Sequence, residues 1–216
     1  MKHKHTHYTY ASFALLLFVA LGYMVKFYPE ALTGFDSNIQ TWVRGDLPGG
    51  LTAFFKMITT LGNTSVQAVI AILAVIWLYL RQYKAEAIFV GTSGVLASIM
   101  IMSLKYIYQR PRPSITHLVH AGGYSFPSGH SLGTFMILGA IAIVLTQRLV
   151  KKAAKTAVYG ITGLLIFLVG LSRIYVGVHY PTDVLAGFTL AFGLLNAIYP
   201  TYDRIRFEWR FQSKQK

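Results

Sequence analysis

The sequence predicts an all-α, polytopic membrane protein: six transmembrane helices with an additional interfacial helical segment, forming one domain over residues 1–216. Three observations carry that reading. Of the 216 residues, 54% are hydrophobic and only 12% are charged, where an ordinary soluble domain carries about 25% charged residues. Mean hydropathy is +0.50. Several apolar runs approach the roughly 20 residues that a helix needs to cross the ~30 Å hydrocarbon core of a bilayer.

The first span is read over Tyr8–Tyr28. Lys2 and Lys4 precede it, as basic residues precede a signal peptide. The apolar run is long, however, and its one small-residue pair, Ala20 and Gly22, lies inside it, so the segment is expected to be retained. Pro29 to Gly50 sets Phe35, Ile39, Trp42 and Val43 among polar residues, which suits an interfacial helix, with a re-entrant loop as the alternative. Ala53–Leu80 is too long for one simple crossing. Its first part, with Lys56 and the Leu61-Gly62-Asn63 break, is placed at the surface ahead of a core crossing from Ser65 to Leu80. The remaining spans are Ala85–Leu104, Ser131–Leu149, Lys155–Ser172 and Val184–Tyr199, followed by a basic tail over residues 200–216.

Alternating these spans puts thirteen of the twenty Lys and Arg on one side: Lys2, Lys4, Arg81, Lys84, Arg148, Lys151, Lys152, Lys155, Arg204, Arg206, Arg210, Lys214 and Lys216. The positive-inside rule makes that side, with both termini, cytoplasmic. A net charge of +13 also fits nucleic-acid binding, but these residues sit on loops and a tail where they set topology and meet anionic headgroups. No nucleic-acid partner is expected. The absence of cysteine excludes disulfides and thiolate metal sites, so the external loops are expected to be held by packing alone.

Three polar segments need a further explanation: KYIYQRPRP from Lys105, PSGH from Pro127, and SRIYVGVHYPTD from Ser172. Singly, each has an ordinary reading. Lys105 or Arg173 serves as a snorkelling end-anchor, a lone histidine as an interfacial hydrogen-bonding group, and Pro181 as a first-turn helix residue. Topology brings all three segments to one external surface, and ionisable residues that gather at such depth are costly to hold and tend to be functional. Phosphoryl transfer suits the set. Arg112 and Arg173 offer forked donors for phosphate oxygens and Lys105 a point charge. Backbone N–H groups of Ser128 and Gly129, at the positive end of a helix, add an anion cradle. Neutral His179, four residues from Asp183, is expected to attack phosphorus while the carboxylate fixes its tautomer. His130, with no acidic neighbour in sequence, is expected to protonate the leaving oxygen and then activate water.

With these residues the sequence resembles the type 2 phosphatidic acid phosphatase superfamily. Its signature is Lys, six residues and Arg-Pro; Pro-Ser-Gly-His; then Ser-Arg, five residues, His, three residues and Asp. Lys105 with Arg112-Pro113, Pro127 to His130, and Ser172-Arg173 with His179 and Asp183 match every position. The resemblance implies a phosphatase that uses no metal or other cofactor and passes through a phosphohistidine. It also implies a bacterial cell membrane location and catalytic motifs over residues 105–183, and the positive-inside reading puts the active site on the extracytoplasmic face. The expected substrate is a lipid phosphate: phosphatidylglycerol phosphate, undecaprenyl diphosphate or phosphatidic acid. Membrane lipids are its other expected contacts, with no obligate protein partner. Alternatives are a sugar-phosphate phosphatase of the same superfamily and a lipid or anion transporter. A transporter would place polar residues near mid-span and show related halves. Within RPRP only the spacing from Lys105 selects Arg112 over Arg110, and Arg110 is expected to be an exposed charge of lesser consequence.

Overall fold

A computed structural model describes residues 4–215; Lys2 and Lys216, counted above for topology, lie outside them. The described chain folds into eight helices: α1 (Lys4–Phe27), α2 (Pro29–Arg44), α3 (Gly49–Thr60), α4 (Thr64–Leu80), α5 (Lys84–Tyr108), α6 (Gly129–Thr146), α7 (Lys152–Tyr175) and α8 (Pro181–Phe211). Helices α1, α5, α6, α7 and α8 are each long and apolar enough to cross a membrane, and α3 with α4 forms a sixth such unit, bent by 49°. The bend falls at Leu61, Gly62 and Asn63, where the sequence places a break.

Local chemistry sets the ends that matter for function. Helix α5 stops at Gln109, which takes a left-handed conformation at φ 51°, and Pro111 and Pro113 then prevent helical continuation. Ser128 caps α6: its side chain accepts from the Ser131 N–H at 3.4 Å and from the Ser131 hydroxyl at 2.9 Å. Helix α7 ends ahead of Gly177, whose φ of +81° suits a residue without Cβ. Pro181 opens α8, where its missing N–H costs nothing, and Asp183 accepts the Tyr180 N–H at 2.9 Å.

The core lies where α5, α6 and α8 meet, around Val90, Ala97, Leu132, Met136, Ala140, Ala186 and Leu190. Several of these side chains are small, which lets helix backbones approach closely in a membrane bundle. Helix α1 packs along α8, and α3 along α7. A smaller cluster of Phe55, Tyr175, Val176 and Val178 supports the segments that carry the polar groups.

One sequence expectation changes. The sixth helix does not end at Tyr199: α8 runs through Pro200 to Phe211, and the residues read as a loose tail are tied down. Arg206 and Arg210 approach Glu86 at 3.3 and 3.4 Å, and Gln215 accepts the Ala85 N–H at 2.8 Å. The buried side of α2 is the stripe Leu32, Asp36 and Gln40, whereas Phe35 and Trp42 face outward. A helix beside lipid can point its apolar residues out and its polar ones toward the protein.

Candidate active site

The three polar segments converge at one end of the bundle, most of their members placed there by helix termini. Lys105 lies in the last turn of α5, Gly129 and His130 in the first turn of α6, Arg173 in the last turn of α7, and Asp183 in the first turn of α8. Arg112 and His179 come from the adjoining loops. Together Lys105, Arg112, Gly129, His130, Arg173 and His179 line the head of a cleft of about 830 Å³.

His179 is buried, with 2% of its surface exposed. Its Nδ1 lies 3.3 Å from Asp183 Oδ2, so the carboxylate holds the proton on Nδ1. Nε2 then carries the lone pair, and Arg112 Nη1 lies 3.4 Å from it. Burial pushes the imidazole down to about 4; Asp183 opposes this, and Arg173 and Arg112 add to it. The ring is therefore neutral at pH 7, the state a nucleophile requires.

His130 has a partner that its sequence neighbourhood does not reveal: Asn63, at the α3–α4 bend, places Oδ1 3.1 Å from His130 Nε2. An amide oxygen can only accept, so Nε2 bears a proton. Gly62 lies against the same ring, and a Cβ there would come within 2.8 Å of His130 Cγ. Gln67 braces α6 from α4 by donating to Thr134 Oγ1 at 2.6 Å. Arg173 donates to Thr59 Oγ1 at 2.7 Å, while its buried Nε has no partner.

Other expectations are corrected. The Ser128 N–H donates to the Asp183 carbonyl at 3.0 Å, and Ser128 is fully buried, so it joins α6 to α8 instead of facing an anion. The first-turn N–H groups of Gly129 and His130 have no preceding turn to bond and are the ones left for a cradle. The loop between α5 and α6 is held by more than packing. Arg112 donates to the carbonyls of Gly122 and Val178, both at 2.7 Å, and of Gly123 at 3.0 Å. Arg44 reaches Tyr175 O at 3.1 Å and Thr116 O at 2.9 Å, and Lys105 donates to Tyr124 O. The Arg112 fork thus ties the loop to the segment after α7 and to its own turn.

Arg110 is not an exposed charge. It is 9% exposed and bridges two carboxylates, Asp36 Oδ2 and Asp183 Oδ1, each at 2.7 Å. Asp36 was missed because it lies far away in the chain. A signal was available in the i, i+4, i+8 spacing of Leu32, Asp36 and Gln40, which puts two polar residues on the same face as a leucine. Among the described residues, no group of three or more His, Asp or Glu side chains is arranged to hold a metal ion.

Comparison with known proteins bears on the same residues. Residues 86–207 match the PAP2 superfamily. The chain is 43% identical over 106 residues to phosphatidylglycerophosphatase B of Bacillus subtilis, covering 49% of each chain. It is 32% identical over 133 residues to the undecaprenyl-diphosphatase BcrC of the same organism, covering 59% of this chain and 64% of that one. The match thus spans about half the length of the first relative and less than two thirds of the second. Among solved structures, the first transmembrane PAP2 type phosphatidylglycerolphosphate phosphatase from Bacillus subtilis superposes with a TM-score of 0.83 at 28% identity, covering 90% of this chain and 96% of the other.

Proposed function

Because this chain belongs to the PAP2 superfamily, we propose that its polar cluster is the active site of a membrane lipid phosphate phosphatase. One observation carries the lipid part of the reading. The cleft that starts at His130, Arg173 and His179 continues between α4 and α5 along Ile72, Val75, Gly94, Val95 and Ile99. Ile72, Val95 and Ile99 are half exposed or more on the bundle surface, which in a membrane protein is the surface toward lipid. From Lys105 to Gly91 the groove follows about 20 Å of helix. A headgroup at the charged end with its hydrocarbon tail alongside α4 and α5 fills this shape, whereas a sugar phosphate fills only its head.

Phosphoryl transfer then proceeds in two steps. His179 Nε2 attacks phosphorus and the P–O bond to the lipid breaks; cationic His130 gives its proton to the departing oxygen, and Asp183 stabilises the positive charge on the phosphorylated imidazole. Water next attacks phosphorus as neutral His130 takes its proton. The P–N bond breaks, releasing inorganic phosphate and restoring neutral His179 and cationic His130. Lys105, Arg173 and the Gly129 N–H stabilise charge on the phosphoryl oxygens, Arg112 joins them from beside Nε2, and Ser128 holds the α6 N-terminus against Asp183. The donors are all protein cations and N–H groups, so no metal or other cofactor takes part. The cytoplasmic placement of both termini, and the external placement of the site, are supported by the basic residues at the opposite ends of the helices. The packing of α1 along α8 supports one domain over the whole chain. No protein partner is required.

The test is phosphate release by purified protein in detergent, with excess chelator, from phosphatidylglycerol phosphate, undecaprenyl diphosphate, phosphatidic acid and glucose 6-phosphate. The expected result is metal-independent turnover of at least one lipid well above the sugar phosphate, without the sealed compartment a transporter needs. His179→Ala is expected to be inactive, and His130→Ala to recover partly on a phosphate ester with a leaving group of low pKa. Preference for glucose 6-phosphate, or equal recovery of both variants, would overturn the reading.

A further inference from the structure

Helix α2 lies outside the three polar segments, yet it reaches the catalytic pair through an unbroken series of contacts. Asp36 Oδ1 accepts the Thr182 N–H at 3.0 Å, and Oδ2 accepts the Thr182 hydroxyl at 2.9 Å and Arg110 at 2.7 Å. Arg110 Nη1 donates to Thr182 Oγ1 and to Asp183 Oδ1, both at 2.7 Å. Asp183 turns its other oxygen to the Tyr180 N–H and His179 Nδ1. The Arg110 guanidinium also stacks 3.9 Å from the centre of the Tyr180 ring, and Gln40 donates to the His179 carbonyl at 3.3 Å.

We propose that Asp36 and Arg110 are positioning residues for phosphoryl transfer: together they fix Asp183 on Nδ1 of His179 and keep its negative charge available to the phosphorylated ring. The proposal rests on the nucleophilic role given to His179 above. Its physical basis is a division of labour between the two oxygens of one carboxylate. With Oδ1 pinned by Arg110, Asp183 cannot rotate away from the ring. Arg110 alone, at 2.7 Å, would cancel much of the carboxylate's charge in a buried setting, and the second carboxylate offsets this. The chain Asp36, Arg110, Asp183 is thus net negative by one, and it becomes neutral when His179 gains its positive charge. The other charged or titratable groups facing His179 are Arg112 from the loop, Lys105 from α5, His130 from α6, Arg173 from α7 and Tyr180 beside it, none of them a carboxylate.

A purely structural role would lower activity in any variant of the pair; a charge-setting role predicts opposed signs. In full-length protein with 15N-labelled histidine, His179 being assigned through His179→Gln, Arg110→Gln is expected to raise the protonation midpoint of His179 by roughly one pH unit. Asp36→Asn is expected to lower it by a similar amount, and the double variant to return it toward the starting value. On a lipid phosphate, kcat is expected to fall about 100-fold in Arg110→Gln with little change in KM, and Arg110→Lys to restore part of it. Asp36→Asn leaves Arg110 on Asp183, so it remains informative if Arg110→Gln does not fold. Shifts of one sign in both variants, shifts absent from a folded Asp36→Asn protein, or opposed shifts with kcat unchanged would each overturn the proposal. The titration needs no turnover, so a wild type that releases no phosphate would refute the function assigned above without deciding the protonation result.

Discussion

His179 is held neutral by burial while a carboxylate waits to receive its positive charge. That arrangement has a thermodynamic consequence in the resting protein. An unfolded histidine titrates near pH 6.5, whereas in the fold burial pushes His179 down to about 4. Between those values the unfolded chain binds a proton that the folded one refuses. The stability contributed by a neutral His179 is therefore complete above about pH 6.5 and falls as pH drops toward 4, by roughly 3 kcal/mol across the window. Thermal unfolding in detergent is expected to show the wild type losing stability relative to His179→Gln as pH falls from 7 to 4. Parallel curves for the two proteins would mean that the ring is not held neutral.

Among the elements, the α3–α4 bend has the closest grip on His130. A straight helix through residues 61–63 would carry Asn63 away from the imidazole, and any side chain at position 62 would meet the ring. Gly62→Ala is expected to displace His130 and lower kcat by about 10- to 100-fold, since small misplacements of a reacting group cost that much, while helical content stays unchanged. Unaltered kcat would show that the bend does not position the ring. The same bend marks how far the sequence could be read. Its three residues announced a break, and the motif residues at the ends of α5 to α8 announced a polar cluster that the fold does bring together, because each signal is local in the chain. Thr59, Asn63, Gln67 and Asp36 are ordinary residue types that acquire their roles only when α2, α3 and α4 fold against α6, α7 and α8. The exposure expected of Arg110 failed for the same reason, since spacing cannot show that an arginine faces a carboxylate from a distant helix. The extension of α8 beyond Pro200 was hidden by its basic composition.

In the whole molecule, the end opposite the cleft is closed by a different charge cluster. Glu86 is 1% exposed and lies within 2.8 to 3.4 Å of Arg148, Arg206 and Arg210, joining α5, the α6–α7 connection and the end of α8. The Arg148 guanidinium stacks 3.3 Å from the centre of the Tyr83 ring. Replacing Glu86 by Gln leaves these cations facing one another, and breaking a buried ion pair costs about 3–5 kcal/mol. A lowered midpoint of thermal unfolding is expected, with kcat/KM at a permissive temperature unchanged because the site is at the other end of the bundle; loss of kcat/KM in a folded variant would show that the two ends are coupled. The cleft between α4 and α5 has a consequence of another kind. An entrance on the flank of the bundle suits molecules that travel within the lipid sheet, and for the lipid phosphate proposed above the encounter rate would then depend on how many such molecules share each unit of membrane area. Molarity in the surrounding water then loses its meaning as a concentration scale. If the cleft takes a lipid phosphate as proposed above, diluting that lipid with inert lipid or detergent is expected to slow phosphate release even when the total amount in the tube is fixed.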